Sequence, residues 1–587
     1  MNKLRTLAAL ALTSGLVALA PDAEAFCGFY VAPQDGPLYN DATMVSLMRD
    51  GTRTVMTMSN TYKGPAKDFA MVVPVPVVLQ KENVKTLKKT VFERLEQLTA
   101  PRLVEYWEQD PCQQLGYEDD KMMGGPPKPM AKAAAPKKAD AEYGVKIEAQ
   151  FTVGEYDIVV LSAKQSDGLE SWLHDNKYKI PDGASASLAP YVKEQMKFFV
   201  AKVDVKKVQM DAQGVAVLSP LRFNYESQDF RLPVRLGLIN ARDKQDLIVY
   251  VLSKTSRYDV ANYANVFIPT NLEVVDDTRK SFGSFYAALF DEAVKKAGNK
   301  AVVTEYSWAT SSCDPCPTPP LSNSELASLG GDVLFGMAMP EPGGPPGPMP
   351  KGPMPPGKPP PMKKPSWGFG GFVPMVVTRL HARYDATTLG DDLVFRAAAA
   401  VVGGREHVID DKGNLEKGAQ LSTANNFQAR YIIRHKWAGA IKCQNPRRGI
   451  WGGPPGSYGV PPPAPATNLA AAPRGTVKLA TMLKAGMPAF EITPASGVLP
   501  SVTPITPPDA PLGDAGVDAS LANPDDASVP PAASTPSAVA PATVPSVTPK
   551  PKSGCGCAVP GTAAGAGALV PLGLALAAAF ARRRSRS

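Results

Sequence analysis

Cys313 and Cys316 stand three residues apart in the run SSCDPCP, and a C-x-x-C pair can exchange disulfides when its first thiol is held as the thiolate. That demands an electropositive setting, most simply the N-terminus of a helix. Pro315, Pro317, Pro319 and Pro320 crowd this position and oppose a helix continuing from it. A strand leads in, but no strand–helix–strand unit surrounds the pair. Cys27, Cys112 and Cys443 bring the set to five, apart from two cysteines at the C-terminus. In an oxidising compartment all five are disulfide candidates, the odd number leaves at least one unpaired or paired to another chain, and the connectivity is open. Structural bridges are the preferred reading of Cys27, Cys112, Cys313, Cys316 and Cys443. Thiol–disulfide exchange at Cys313 and Cys316 is the alternative.

Other chemistry finds little support. His174, His381, His407 and His435 are far apart, and none has a second His or Cys within a helical turn, so no metal-site spacing is present and no metal or cofactor is expected. The chain has no phosphate loop ending in Lys-Ser/Thr, no G-x-S-x-G elbow and no H-E-x-x-H. The acid pairs Asp276-Asp277, Asp391-Asp392 and Asp410-Asp411 lie near turns. They read as caps or solvated acids, with calcium binding the lesser alternative because the EF-hand spacing is missing.

The termini say where the chain goes. Lys3 and Arg5 precede an apolar run from Leu7 to Ala20, and Ala23-Glu24-Ala25 supplies the small residues that signal peptidase reads. Residues 1–25 are a secretory signal, cut between Ala25 and Phe26. At the other end, 24 uncharged residues from Ala558 to Ala581 are long enough to cross a bilayer as a helix. Arg582, Arg583, Arg584 and Arg586 follow and anchor the end in the cytoplasm by the positive-inside rule. With both segments removed, the formal charge falls from +8 to +4. That modest value and an exported location argue against nucleic acid as a partner. The tripartite order of Cys555 and Cys557, a weak apolar helix and an arginine cluster over 553–587 resembles the myxobacterial-type C-terminal sorting signal (MYXO-CTERM). The resemblance implies cleavage near a cysteine by a myxosortase-type intramembrane protease, lipid modification of that cysteine and display at the cell surface or outer membrane.

Between the termini, residues 26–453 read as a folded α+β region of mainly antiparallel sheet with a few packed amphipathic helices, on one core or two. Asp50-Gly51 marks a hairpin whose second strand, 52–60, alternates as a half-buried strand does. FAMVVPVPVVL, residues 69–79, is strand-like, with Pro74 and Pro76 placing it at an edge or a break. Asn83 can cap a helix that buries Val84, Leu87, Val91, Phe92, Leu95 and Leu98. Pro101 ends it and can open a second helix through Trp107. Ser281 caps another helix, with Phe282, Phe285, Tyr286, Leu289 and Ala293 inward. Strand candidates include 198–208, 215–223, 230–238, 247–253, 372–384, 393–397 and 427–435. Pro/Gly-rich insertions at 121–142 and 336–366 read as surface loops. Residues 454–552 read as a Pro/Ala/Ser/Thr-rich stalk, with an apolar island at 481–492 that can dock back on the fold.

FCGFYVA after the signal, the strand AMVVPVPV, the DPC at 110–112 and the SCDPCP at 312–317 together resemble the bacterial envelope family known as domain of unknown function 2330, over about 26–448. That family carries no established activity or site. The resulting expectation is an exported, envelope-anchored, non-enzymatic module of unknown ligand. Its expected partners are the secretion machinery, signal peptidase, a myxosortase-type protease and the membrane.

Overall fold

Runs such as LIVYVL at 247–252 and FFVA at 198–201 place apolar side chains at odd and even positions alike. A strand built from such a run must be covered on both faces. The computed structural model satisfies this with layers. It describes residues 29–31, 43–59, 69–112, 145–176, 184–210, 216–239, 244–310, 312, 318–338, 374–385, 387–406, 414–454 and 468–496. A twelve-stranded sheet has at its centre Ala301–Ala309, Val376–Tyr384, Gln245–Ser253, Thr43–Asp50 and Arg53–Ser59, in that order. A five-stranded sheet runs Phe29–Val31, Phe69–Val75, Lys197–Val203, Tyr156–Ala163, Val145–Val153.

The two sheets share one core. Leu247, Val249 and Val251 of the large sheet meet Phe199, Ala201, Val203, Ile158 and Val160 of the small one. The alternate residues face away. Ile248, Tyr250 and Leu252 pack under helix α1, Thr90–Thr99, through Val91, Phe92, Leu95 and Leu98. Phe198 and Val200 pack under α2, Ser166–Asp175, and α3, Ala184–Lys193. Helix α4, Phe282–Lys296, buries Phe282, Phe285, Tyr286, Leu289, Phe290 and Ala293 against the 301–309 strand and Tyr431. Helices, sheet, sheet, helices is the resulting order. The mixed α+β class, mostly sheet with few helices, is as expected. Most pairings are antiparallel, but Thr43–Asp50 runs parallel to Gln245–Ser253, and Ala264–Phe267 joins Ala301–Ala309 through a parallel crossover that contains α4.

Local expectations differ from the structure in instructive places. The hairpin closes on Gly51-Thr52, one residue later than expected, with Asp50 opposite Arg53. Gly51, at φ +59°, supplies the positive φ that a tight primed turn needs at its first position. The Arg53–Ser59 strand is buried on both faces, Met56 and Met58 toward the small sheet and Val55 toward the helices. Phe69–Val75 is second from its sheet edge. Its outer neighbour pairs only with Ala70–Val72, so Pro74 has no ladder on that side to interrupt. No long helix starts at Asn83. Val84–Thr86 is an edge strand on Leu221–Phe223, and α1 begins at Thr90. Nor does a second helix follow Pro101, because Arg102–Glu108 pairs in parallel with Arg430–His435, a contact no local pattern reveals. Residues 468–496, within the span expected as stalk, are packed on the fold. Leu469, Ala470 and Met482 are buried, and Glu491–Thr493 adds a strand to Ala264–Phe267. Among the described residues no helix is long and apolar enough to cross a membrane. The expected span at 558–581, the signal, the insertion at 121–142 and all but three residues of the insertion at 336–366 lie outside the described residues.

One glycine pins the helical layer to the sheet. Gly330, between the short helices Asn323–Leu326 and Asp332–Phe335, has φ +136°, and a Cβ there would sit 2.7 Å from the Val55 Cβ. Gly330→Ala combines backbone strain with a clash against a stiff β-branched side chain, and is expected to cost about 2–4 kcal/mol. Gly51→Ala, at φ +59° with nothing within 4 Å, should cost only about 1–2 kcal/mol. Urea unfolding of the two variants checks the order, and equal losses would contradict the packing role.

Candidate functional site

The segment TRLHARY, 378–384, alternates polar and apolar residues, and its two faces do different work. Leu380, Ala382 and Tyr384 enter the core between the sheets, which leaves Arg379, His381 and Arg383 on the opposite, helix-facing side. The neighbouring strands register Asp246 opposite Arg383 and Tyr250 opposite Arg379. On the far side the ladder shifts between Thr304 and Tyr306, leaving Glu305 in a bulge. A bulge re-aims a side chain, and here the Glu305 carboxylate turns toward the basic row.

The result is a buried ionic cluster. Arg379 Nε donates to Glu305 Oε2 at 2.6 Å, its other nitrogens reach the Tyr250 hydroxyl at 3.0 Å and Glu96 Oε1 at 3.3 Å, and the Tyr250 hydroxyl in turn lies 3.1 Å from Glu96 Oε2. His381 Nδ1 is 2.7 Å from Glu305 Oε1, and its Nε2 is 2.9 Å from Asp246 Oδ1. Tyr286 of α4 donates to Glu305, and the Phe290 ring stacks on the imidazole with centroids 4.0 Å apart. Arg383 and Arg474 both pair with Asp246, and Arg474 extends the chain of charges to Asp291 on α4.

Charge on His381 follows from this geometry. Two carboxylate oxygens face its two ring nitrogens, so both nitrogens serve as donors when the ring is an imidazolium. Burial alone would push its pKa down. Glu305 and Asp246 outweigh that, and the net shift is upward from 6.5. Burial would likewise raise the Glu305 carboxyl, but His381 and Arg379 hold it at about 2. Arg379 stays charged, its pKa raised by Glu96, Tyr250 and Glu305 against the penalty of burial. Glu96, Asp246, Asp291 and Glu305 then balance Arg379, His381, Arg383 and Arg474. Acid–base work on a ligand needs an atom open to it. Here both nitrogens of His381 and both oxygens of Glu305 are occupied by protein partners in a buried position.

Of the residues singled out from sequence, His381 lies in this cluster, and the other described ones lie elsewhere. His174 is exposed at the end of α2, and His435 stacks on Trp107 and pairs with Glu105. His407 lies outside the described residues. The acid pairs are engaged elsewhere. Asp277 pairs with Lys280, Asp391 with Arg235, and Asp392 accepts from the Tyr191 hydroxyl and the Val234 amide, while Asp410-Asp411 lies outside the described residues. No group of His, Cys, Asp and Glu that could hold a metal ion occurs among the described residues. Of the cysteines, Cys112 and Cys443 form a disulfide with Cα atoms 5.6 Å apart. Cys27, Cys313, Cys316, Cys555 and Cys557 lie outside the described residues, as do the cleavage pair Ala25 and Phe26 and the tail arginines 582, 583, 584 and 586. The cluster itself was missed from sequence. Its available signal was the R-x-H-x-R row in a strand otherwise apolar on its alternate positions.

A groove of about 1150 Å³ lies beside the cluster, between α4 at Ala288, Asp291 and Glu292 and the tail at Leu479, Met487 and Phe490. Only Asp291 is common to both.

Fold and cluster together define a layered α+β protein built on a buried ionic centre. The chain belongs to the family described as an uncharacterized protein conserved in bacteria (DUF2330), whose model matches residues 21–396. The match takes in Glu96, Asp246, Glu305, Arg379 and His381 and stops short of Arg474 and Cys443. No curated protein and no solved structure is a match.

The cluster makes stability depend on pH. A raised histidine pKa gives stabilisation that is complete below 6.5 and lost as pH rises through the folded value. A Glu305 carboxyl held at about 2 gives stabilisation that is complete above 4.5 and lost as pH falls through about 2. His381→Gln leaves Glu305 and Asp246 short of a cation and should cost about 3–5 kcal/mol at pH 6. The difference between wild type and variant in urea unfolding should then shrink as pH rises above 6.5, and a difference independent of pH would contradict a charged His381.

Proposed function

We propose that the chain is an exported, non-enzymatic module anchored at the cell envelope, held out from the membrane on its Pro-rich segment. The observation that carries this reading is the Cys112–Cys443 disulfide, which closes a separation of 331 residues. Such bridges form and persist in oxidising compartments and are rare in the cytosol. The terminal segments read from the sequence agree with export, and the family match adds no activity to set against it. The closed charge balance around His381 supports a structural rather than catalytic use of the titratable centre.

The module is taken up by the secretion machinery, cut by signal peptidase before Phe26, and cleaved near Cys555 or Cys557 by a myxosortase-type protease, with lipid carried on one of those cysteines as the anchor that remains. One acyl chain binds a membrane only marginally, so stable anchoring takes more than one lipid group. Intact-mass and thiol measurements on protein extracted from the cell surface test the reading. The expected species begins at Phe26, lacks residues 582–587, carries lipid on Cys555 or Cys557 and has Cys112 and Cys443 oxidised. A chain ending at Ser587 with no lipid, or with Cys112 and Cys443 reduced, overturns it. A solvent-reactive Cys313 thiolate would instead favour the thiol–disulfide exchange alternative.

A further inference from the structure

Beside the disulfide the surface carries charge of one sign. From Arg434 to Pro454 the chain contains Arg434, Lys436, Lys442, Arg447 and Arg448 and neither Asp nor Glu. Arg448 is neutralised by Glu108 at 2.9 Å, and the Arg434 guanidinium lies 5.1 Å from the centre of the Trp451 ring. Lys436, Lys442 and Arg447 are different. All three are exposed, and none of their side chains makes an ion pair or hydrogen bond among the described residues. The acids of the paired segment 105–110 are already engaged. Glu108 accepts from Arg448 and from the Trp437 and Gly449 amides, Asp110 accepts the Cys112 amide, and Glu105 holds Arg279 and His435.

The loop is also pinned. It leaves the strand Arg430–His435 and returns through Trp451–Gly452, which pairs with Trp107 and Glu108. Between these ends Cys443 is bonded to Cys112, the Arg447 amide donates to the Pro111 carbonyl at 2.9 Å, and the Gln109 amide donates to the Ile450 carbonyl at 2.8 Å. At the middle, next to Lys442, Ile441 is 42 % exposed, one of four large hydrophobic side chains left exposed among the described residues. The loop thus carries three free cations and an exposed aliphatic side chain between residues 436 and 447, with little ordering left to be done on binding.

We propose that residues 434–451 form a docking surface for an anionic lipid bilayer, with Lys436, Lys442 and Arg447 facing phosphate-bearing headgroups and Ile441 entering the interfacial layer. Basic residues near a negatively charged membrane surface are attracted to it over about a Debye length. The exposed isoleucine selects the bilayer over a soluble polyanion, since an apolar side chain gains from the acyl boundary and nothing from a chain of sulfates or carboxylates. The surface lies beyond the residues matched by the family model. The inference rests on the envelope reading only for the presence of such a membrane nearby, and the binding itself is independent of it.

Hydrogen exchange on the full chain added to lipid vesicles tests the surface. The apolar run at 558–581 can attach the chain to any bilayer, so the readout is local: amide protection within 434–451. Protection is expected with vesicles of phosphatidylcholine containing about 30 % phosphatidylglycerol (a fraction chosen to give a strongly negative surface) and not with phosphatidylcholine alone. It should disappear at 0.5 M salt, and each of Lys436→Gln, Lys442→Gln and Arg447→Gln should weaken it about fivefold. Ile441→Ser should weaken it with the charge unchanged, and unchanged exchange elsewhere shows that the variants are folded. Equal exchange on neutral and anionic vesicles overturns the proposal, as does protection by dextran sulfate that exceeds protection by anionic vesicles. A chain that proves to be uncut or not exported would defeat the envelope reading while leaving the vesicle result as it stands.

Discussion

An ionised side chain taken out of water costs several kcal/mol, and the cost is recovered only where opposite charge and hydrogen bonds surround it. This protein buries Arg379, His381 and Glu305 together, with Glu96 and Asp246 nearly as deep. Each of these groups is tolerable only because the others are in place. The basic row 379, 381, 383 therefore requires Asp246 on one neighbouring strand and the bulged Glu305 on the other, and it requires Glu96 from above. Breaking one member leaves its partner as an uncompensated buried charge, which is why the arrangement behaves as a unit rather than as separate ion pairs.

The layered architecture follows the same centre outward. Helix α1 carries Glu96, while α4 carries Tyr286 and the Phe290 ring that caps the imidazole. Both helices are thus oriented by polar contacts as well as by their apolar faces. The tail is held in the same way. Arg474 reaches Asp246 and Asp291, which fixes 468–474 over the cluster, and the strand at 491–493 completes the attachment. The opposite face of the sheet packs the aliphatic and aromatic core between the two sheets, which adds burial and, through its alternation, register. The helical side adds the directional ionic contacts.

The parts of this fold that were legible from sequence are those whose signal is local. The alternation of Tyr156, Ile158 and Val160, the hydrophobic face of α4 and the glycine of the first hairpin all carried over into structure. What failed was set at long range. Val84–Thr86 has helical neighbours and a respectable apolar spacing, yet its backbone bonds go to Leu221–Phe223. Arg102–Glu108 looked helical because Pro101 can open a helix, and its partner lies more than 300 residues away. The Pro/Ala/Ser/Thr-rich composition after Pro454 read as a stalk with an apolar island at 481–492 able to dock back; that island does dock, and Arg474 and Leu469 extend the docked part to 468–496. The ionic centre was hidden for a related reason. Its members come from positions 96, 246, 305 and 379–383, and only the row at 379–383 is visible in any one window of sequence. The disulfide candidates Cys112 and Cys443 were named, but their pairing required the fold.

The titratable centre is closed on itself, with both ring nitrogens of His381 and both oxygens of Glu305 held by protein partners. At the root of this, His381 is a charged, doubly bonded member of the core below its raised pKa rather than a neutral imidazole with a nitrogen to spare. Its ring nitrogens report directly on that. In ¹⁵N-labelled protein both His381 nitrogens should show the chemical shifts of protonated imidazolium nitrogens below pH 6.5, and the midpoint of their titration should lie above 6.5, the ordinary histidine value. A titration midpoint below 6.5, leaving one protonated and one bare nitrogen at that pH, would contradict the account, since the cluster would then lack the cation that balances Glu305 and Asp246.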